Sequence, residues 1–205
     1  MLELQNLEAW RDDRCLYQAL SFTLQPGQVA QVLGPNGVGK TTLLKQVAGL
    51  SSLMAGDIRW QNLSVAADCQ RFQRDVLFLG HLAGIKSALT VAENLQILAA
   101  CRGTPLSDDR LATALTRVGL LGYDDTPVAQ LSAGQKRRVA LARLFTEAPL
   151  LWLLDEPFTA IDQAGVSELE GWLADHAEQG GMVLLTTHHR LNMRCPVLPI
   201  ELIPA

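Results

Sequence analysis

The 205-residue sequence contains no apolar stretch long enough for a membrane-spanning helix. Such a helix takes roughly 18 or more apolar residues, whereas the longest apolar runs here, around PLLWLLDE and MVLLTT, are much shorter. The amino terminus, MLELQNLEAW, does not resemble a signal peptide, because charged residues interrupt its apolar ones. We therefore expect any role at a membrane to depend on a partner subunit.

Cysteine is scarce and dispersed. Cys15, Cys69, Cys101 and Cys195 form no Cys-x-x-Cys pair and have no histidine nearby at zinc-ligand spacing. This pattern is typical of reduced cysteines that pack inside a cytosolic protein, and it provides no haem-attachment motif.

The sequence also lacks an excess of positive charge. Its 17 Lys and Arg residues are outnumbered by 21 Asp and Glu residues, which gives a net charge of −4. A nucleic-acid-binding surface would need a basic face or stripe, so we expect no nucleic-acid partner. The tight basic cluster Lys136–Arg138 is interpreted as the solvated flank of a helix.

Short apolar runs indicate buried strands. They occupy residues 28–34, 75–80, 149–156 and 182–188 and are separated by helical patterns. Such runs are typical of parallel strands covered on both faces. The first residues, LELQNLEAW, alternate as a half-exposed strand does. The predicted fold class is α/β.

Consecutive amphipathic helices are predicted between the second and third of these runs. Thr90 and Ser107 each precede a helical pattern as an N-cap, and no strand pattern separates the two. We expect a helical lobe at residues 84–144, inserted into a single domain whose α/β core comprises residues 1–83 and 145–205.

The strongest chemical pattern is GPNGVGKTT, which matches G-x-x-x-x-G-K-[ST] between a strand pattern and a helical one. In that context glycines let the backbone wrap a phosphate, the lysine reaches the β- and γ-phosphates, and the first hydroxyl ligates Mg²⁺. The lysine is Lys40 and the hydroxyl belongs to Thr41. The predicted phosphate-binding residues are Gly34, Pro35, Asn36, Gly37, Val38, Gly39, Lys40, Thr41 and Thr42.

Two further strand ends carry groups suited to hydrolysis. Asp155 and Glu156 follow LLWLL, at the sheet edge where phosphate-loop folds hold their ligand. Asp155 is expected to complete the Mg²⁺ shell and Glu156 to activate water. His188, after the run MVLLTT, is expected to contact the γ-phosphate region. His189 is interpreted as an exposed loop residue, and His176 as a surface residue or a cation at a helix end.

The segment LSAGQ predicts a second anion-binding helix terminus. Ser132 followed three residues later by Gln135 forms a capping box, so the helix begins with free backbone N–H groups. The chain already has a phosphate loop, and the residues alone do not say which anion this second terminus binds.

These motifs together resemble the nucleotide-binding domain of ABC transporters. The phosphate loop, LSAGQ, LLWLLDEP, TAID and TTH occur in that family's order and spacing over nearly the whole chain. The resemblance implies that ATP and Mg²⁺ bind between two copies, with the LSAGQ helix of one copy facing the γ-phosphate held by the other. Asp162 in TAID would lie at the dimer seam. The segment that would contact the partner's ATP comprises Leu131, Ser132, Ala133, Gly134 and Gln135.

Two positions depart from the family pattern. His81 stands where the family has a glutamine that ligates Mg²⁺ and links ATP to the membrane subunit, so metal contact there is weak or passes through water. Where many relatives stack an aromatic ring on adenine, the alignment falls on Trp10 or Arg11, and both can stack. Tyr17 is a weaker alternative.

Within that family the sequence is similar to the ATPase subunits of cytochrome c maturation, described as haem exporters, through LGHLAGIKSALTVAENL, LSAGQKRRVALARL and LLDEPFTAID. The resemblance implies a homodimer of ATPase subunits on integral membrane subunits, acting indirectly on a haem chaperone. It places the chain peripherally at the cytoplasmic face of the bacterial inner membrane.

Three other functions remain open at this stage. One is the ATPase subunit of another small ABC exporter. A second is a soluble ABC-type regulator that grips nucleic acid, against which the acidic balance argues. The third is a phosphate-loop kinase for a small molecule, against which LSAGQ argues because a kinase gives no reason for that motif.

Overall fold

The computed structural model describes residues 1–81 and 84–203, and over these ranges the chain forms two β-sheets and six α-helices. The strands are Leu2–Arg11 (β1), Arg14–Leu24 (β2), Val29–Leu33 (β3), Ala55–Trp60 (β4), Leu63–Ser64 (β5), Val76–Leu79 (β6), Leu151–Asp155 (β7), Met182–Thr186 (β8) and Val197–Glu201 (β9). The helices are Lys40–Val47 (α1), Cys69–Asp75 (α2), Val91–Cys101 (α3), Asp108–Arg117 (α4), Ala133–Thr146 (α5) and Gln163–Glu178 (α6).

The larger sheet is parallel and has the order β6-β7-β8-β3-β9. Four of its strands are the apolar runs of the sequence, so the prediction of buried parallel strands is confirmed. The fifth, β9, comes from the carboxy-terminal segment and lies at the edge. That position accommodates Pro199, because proline has no backbone N–H to donate and an edge strand pairs on one side only.

The smaller sheet is antiparallel and has the order β2-β1-β4-β5. Its first strand is the predicted alternating segment, and its buried side chains include Leu2, Leu4 and Leu7. The predicted α/β class is therefore confirmed, and the predicted amino-terminal strand belongs to a separate antiparallel sheet.

The parallel sheet divides the apolar core into two clusters. Leu154 and Leu185 pack on the face that α5 and α6 cover. Leu153 and Leu184 point to the opposite face, where they pack with α1 and the antiparallel sheet. Because successive side chains of a strand point to opposite faces, burial on both sides requires the continuous apolar runs that the sequence shows.

The helices after β6 begin at the predicted caps. Thr90 Oγ1 accepts the Glu93 N–H at 3.2 Å, and Ser107 Oγ accepts the Arg110 N–H at 3.4 Å. α5 continues to Thr146, through the boundary predicted between residues 144 and 145. The division into core and lobe stays a prediction. Within residues 1–81 and 84–203, no helix is both long and apolar enough to cross a bilayer.

The interpretation of His176 as a surface residue or helix-end cation is wrong. Its ring lies parallel to the Trp152 ring of β7, with 3.9 Å between the ring centres. Burial lowers the pKa of His176 from 6.5 to about 4, so the side chain is neutral near pH 7. It stacks in the folded chain and does not act as a cation at the helix end.

Candidate nucleotide-binding and hydrolysis site

The carboxyl ends of β3, β7 and β8 lie at one edge of the parallel sheet, and a cleft of about 460 Å³ opens there. In open α/β sheets this is the edge where ligands bind. The residues that line the cleft are Arg11, Leu16, Asn36, Gly37, Gly39, Lys40, Thr41, Thr42, His81, Asp155, Glu156, Thr159, Thr186 and His188.

The phosphate loop connects β3 to the amino terminus of α1. Gly39 caps this helix with a φ of +111°, and a Cβ there would lie 3.1 Å from the Tyr17 ring, so the turn requires glycine. Lys40 Nζ donates to the Gly34 carbonyl at 2.6 Å and to the Pro35 carbonyl at 3.3 Å. The ammonium group and the helix terminus therefore concentrate positive potential in one place, which favours an anion.

Oxygen groups suited to a divalent cation meet beside the loop. Asp155 is buried at the end of β7, and its Oδ1 accepts from Thr41 Oγ1 at 3.1 Å and from Thr186 Oγ1 at 2.7 Å. Carboxylate and hydroxyl oxygens are the ligands that Mg²⁺ prefers. His81, the third predicted ligand, lines the same cleft and is exposed. Thr186 was not predicted, although it lies in the quoted TTH motif.

Glu156 and His188 lie side by side at the mouth of the cleft. Glu156 Oε2 accepts the His188 backbone N–H at 3.3 Å, and Oε1 is 3.5 Å from His188 Nε2. Glu156 is one of the few non-glycine residues with a positive φ, +49°, a conformation that costs a residue with a side chain about 1 kcal/mol or more. This strained turn comes immediately after the last residue of β7, Asp155.

The LSAGQ segment forms the predicted capping box. Ser132 Oγ accepts the Gln135 N–H at 3.2 Å, and the Ser132 N–H donates to Gln135 Oε1 at 2.9 Å. Ala133 is the first residue of α5 and has ordinary helical geometry, so its methyl group is not strained. A Cβ at Gly134 would lie 3.1 Å from the Ala160 carbonyl, which explains the glycine there. Within the described chain, residues 131–135 lie outside the lining of the cleft.

Asp162 begins α6. Its Oδ1 accepts the Gly165 N–H at 3.0 Å and lies 3.5 Å from Arg138 Nη2 of α5. The carboxylate is 73% exposed, so it can contact another molecule. The loop that carries Asp162 is thereby tied to the helix that carries LSAGQ.

The interpretation of Lys136–Arg138 as a solvated flank is wrong for Arg137. This residue is 7% exposed, and its guanidinium donates to the carbonyls of Glu156, Pro157 and Gly80. Helical spacing could have found it, since Arg137 shares a face with Leu141 and Leu144, both buried. The Arg138 side chain is also largely covered, and it forms an ion pair with Glu168.

The two candidates for adenine contact differ in position. Trp10 and Arg11 are adjacent in β1 and so point to opposite faces, and it is Arg11 that lines the cleft. Tyr17, the weaker alternative, is buried beneath the phosphate loop, where its hydroxyl donates to Gln46 Oε1 at 2.7 Å. Burial raises the pKa of the Tyr17 hydroxyl, which stays protonated.

His189 is not an exposed loop residue. Its Nε2 lies 3.2 Å from Glu170 Oε1 of α6, and its ring packs against Phe158 with 5.0 Å between ring centres. The same Glu170 oxygen accepts the Asn192 N–H at 2.7 Å. His189 therefore anchors the loop after β8, and His188 is left free to face the cleft.

Comparisons with known proteins agree with this geometry. Residues 17–159 match the family model described as ABC transporter. The cytochrome c biogenesis ATP-binding export protein CcmA of Vibrio cholerae is 52% identical over 97% of this chain and 96% of its own length. The protein of the same name from Yersinia pestis is 51% identical over 94% and 88%, respectively.

A solved structure shows the same fold. It is described as the dimeric, post-hydrolysis state of an ATP-binding cassette bound to ADP and inorganic phosphate. It is 22% identical, has a TM-score of 0.78, and covers 92% of this chain and 88% of its own. Given the family match and relatives about half identical over nearly their whole length, this chain belongs to the ABC transporter family, among the cytochrome c biogenesis ATP-binding export proteins.

Proposed function

We propose that this chain is the ATP-hydrolysing subunit of an ABC complex in cytochrome c maturation, and that two copies work together on integral membrane subunits. The observation that carries the proposal is the single cleft that joins the phosphate loop to Asp155, Glu156 and His188. The assignment to cytochrome c maturation rests on the relatives, which are described as ATP-binding export proteins of cytochrome c biogenesis.

The phosphate loop and the pair Glu156 and His188 have distinct roles in this proposal. The backbone of residues 34–39, the Lys40 ammonium and the Thr42 hydroxyl hold the triphosphate at the amino terminus of α1. Glu156 orients a water molecule and takes its proton, and His188 contacts the γ-phosphate beside it. The short separation of these two side chains supports their joint action.

The paired oxygens of Thr41 and Asp155 fit Mg²⁺, and His81 would approach it directly or through water. When bound, the cation would neutralise charge on the phosphates during transfer. Thr186 holds Asp155 in place, because its hydroxyl donates to the carboxylate while its oxygen accepts the Glu156 N–H at 3.0 Å.

A second copy would complete the site. The amino terminus of α5 is capped, exposed and outside its own cleft, so it is available to the triphosphate of another molecule. Leu131–Gln135 would then contact the partner's ATP, and the exposed Asp162 would lie at the seam. The solved structure with this fold supports the arrangement, since it is dimeric and holds the products of hydrolysis.

The output of the cycle would be a movement of membrane subunits at the cytoplasmic face of the bacterial inner membrane, with this chain bound peripherally. Closure on ATP and reopening after hydrolysis would supply that movement. We propose that it drives a haem-handling complex, by releasing a haem-loaded chaperone or by exporting haem.

The test is to purify the full chain from membranes under native conditions and measure phosphate release from MgATP without an acceptor. We expect integral membrane proteins to co-purify and phosphate to be released, with Lys40→Ala abolishing the release and Glu156→Gln reducing it to a small residual rate. Salt-sensitive binding to nucleic acid without membrane partners would contradict the proposal, as would phosphate transfer that requires a small-molecule acceptor.

A further inference from the structure

Arg137 is a buried cation on α5 that the functions above leave unexplained. Its guanidinium donates from Nη2 to the Glu156 carbonyl at 2.8 Å and from Nε to the Pro157 carbonyl at 3.1 Å. Nη1 donates to the Gly80 carbonyl at 3.4 Å, one residue before His81. A buried arginine is costly unless its donors are satisfied, and here all three nitrogens have partners.

The segment that Arg137 holds is the one that carries the Glu156 carboxylate. Glu156 has a positive φ, and such strain persists only where surrounding contacts fix it. Its N–H donates to the Thr186 carbonyl at 3.1 Å and to Thr186 Oγ1 at 3.0 Å, while its C=O accepts from Arg137. Arg137 and Thr186 thus fix the peptide groups on both sides of this residue.

Arg137 bonds to the backbone and not to the Glu156 carboxylate. The carboxylate oxygens therefore stay available to His188 and to water. Burial lowers the pKa of Arg137, while the negative charges of Asp155 and Glu156 raise it. The guanidinium remains charged while it holds the backbone of Glu156.

We propose that Arg137 is a positioning residue for hydrolysis, which fixes the strained turn at Glu156 so that its carboxylate points at the water it activates. This rests on the proposed function, in which Glu156 is the base. Arg137 belongs to the helix that begins with LSAGQ. Its side chain therefore connects that helix to Glu156, the general base in the cleft of the same copy.

The test compares Arg137→Ala, Arg137→Lys and a matched control, Lys136→Ala, in the complex purified from membranes. Lys136 is the neighbouring cation of α5, and in the described chain the only hydrogen bond of its side chain is a long one of 3.5 Å to the Ala129 carbonyl. We expect Arg137→Ala to lower kcat by about 10- to 100-fold, since small misplacements of a reacting group have effects of this size. ATP affinity should change less than about twofold, and Lys136→Ala should match the wild type.

Two further results separate positioning from general folding. Arg137→Lys retains one cationic donor, so its kcat should lie between those of Arg137→Ala and the wild type. In a Glu156→Gln background, adding Arg137→Ala should change the residual single-turnover rate by less than about threefold, because the carboxylate through which Arg137 acts is gone. If Arg137→Ala does not fold, Arg137→Lys alone must show a lower kcat at unchanged affinity.

The inference is overturned if the Arg137 variants hydrolyse ATP like the wild type, if affinity falls together with kcat, or if the loss is equally large in the Glu156→Gln background. A wild-type complex that releases no phosphate would instead overturn the proposed function.

Discussion

Of the two candidates for adenine contact, Arg11 lines the cleft, although Trp10 beside it has the larger aromatic surface. We predict that Arg11→Ala weakens ATP binding about fivefold, because a guanidinium plane stacked on an aromatic base contributes roughly 1 kcal/mol. Trp10→Ala is the matched control and should leave the affinity unchanged. Equilibrium titration with a fluorescent ATP analogue measures both.

Inorganic triphosphate separates base contact from charge. Arg11→Ala should weaken the binding of inorganic triphosphate only through the loss of its long-range charge, and Trp10→Ala should leave that binding unchanged. The effect of Arg11→Ala should therefore be larger for ATP than for inorganic triphosphate. Loss of ATP affinity in Trp10→Ala alone would move the adenine platform to Trp10.

Residues whose role follows from local spacing could be predicted from the sequence. The phosphate loop and the carboxylates after β7 belong to this group, because each depends on a short segment between a strand and a helix. Helical spacing could reveal that Arg137 is buried, but the roles of Thr186 and Arg137 could not be assigned from spacing alone. Their partners lie far away in the chain, and contact between them exists only once the parallel strands and α5 have packed.

At the scale of elements, two helices begin with the same capping box but differ in their proposed roles. Thr90 with Glu93 caps α3, and Ser132 with Gln135 caps α5. We predict that Thr90→Ala and Ser132→Ala each lower the free energy of unfolding by about 1 kcal/mol, the usual cost of a lost cap. Only Ser132→Ala should also slow ATP hydrolysis, by about tenfold, because in the proposed function its hydroxyl donates a hydrogen bond to the partner's charged phosphate.

Chemical denaturation and phosphate release measure the two effects on the same preparations. Both variants are needed because slower hydrolysis in Ser132→Ala alone could result from the lower stability of its helix. Equal losses of hydrolysis in both variants would show that Ser132 acts only as a cap and has no contact with nucleotide.

The stack of His176 on Trp152 joins α6 to β7 and predicts a pH dependence. The folded pKa of His176 is about 4 and its ordinary value is 6.5. Between these values the unfolded chain binds more protons, so the stability that depends on neutral His176 is complete above about pH 6.5 and is lost as the pH falls toward 4. From pH 7.5 to 5 we expect the wild type to lose about 1–2 kcal/mol more than His176→Phe.

His176→Phe is the appropriate comparison because it keeps a flat ring against Trp152 and cannot be protonated. Urea denaturation at the two pH values gives the difference directly. Parallel losses of stability in the two proteins would contradict the assignment of His176 as a half-buried, neutral ring.

The strands were predictable as elements, because a run buried on both faces must be apolar throughout. The placement of His176 was not, since a histidine in the last turn of a helix looks like a dipole partner. Its burial depends on how α6 lies against the start of β7, which helical spacing alone does not determine.

At the scale of the whole molecule, the proposed nucleotide site has two halves that do not meet within one copy. The cleft holds the phosphate loop, Asp155, Glu156 and His188, and the exposed amino terminus of α5 lies outside the lining of that cleft. The sequence could predict both halves from their motifs. That a second copy must bring them together is the central claim of this account.

Glu156→Gln tests the claim most directly, because it should bind MgATP and hydrolyse it only at a small residual rate. The measurement is the molar mass by light scattering and ultracentrifugation, with MgATP, with MgADP and without nucleotide, and Lys40→Ala added as the control that cannot hold the triphosphate. We predict stable pairs with MgATP only, and none when Lys40→Ala is present. A Glu156→Gln protein that stays single with MgATP, both in solution and within its membrane assembly, would contradict the account.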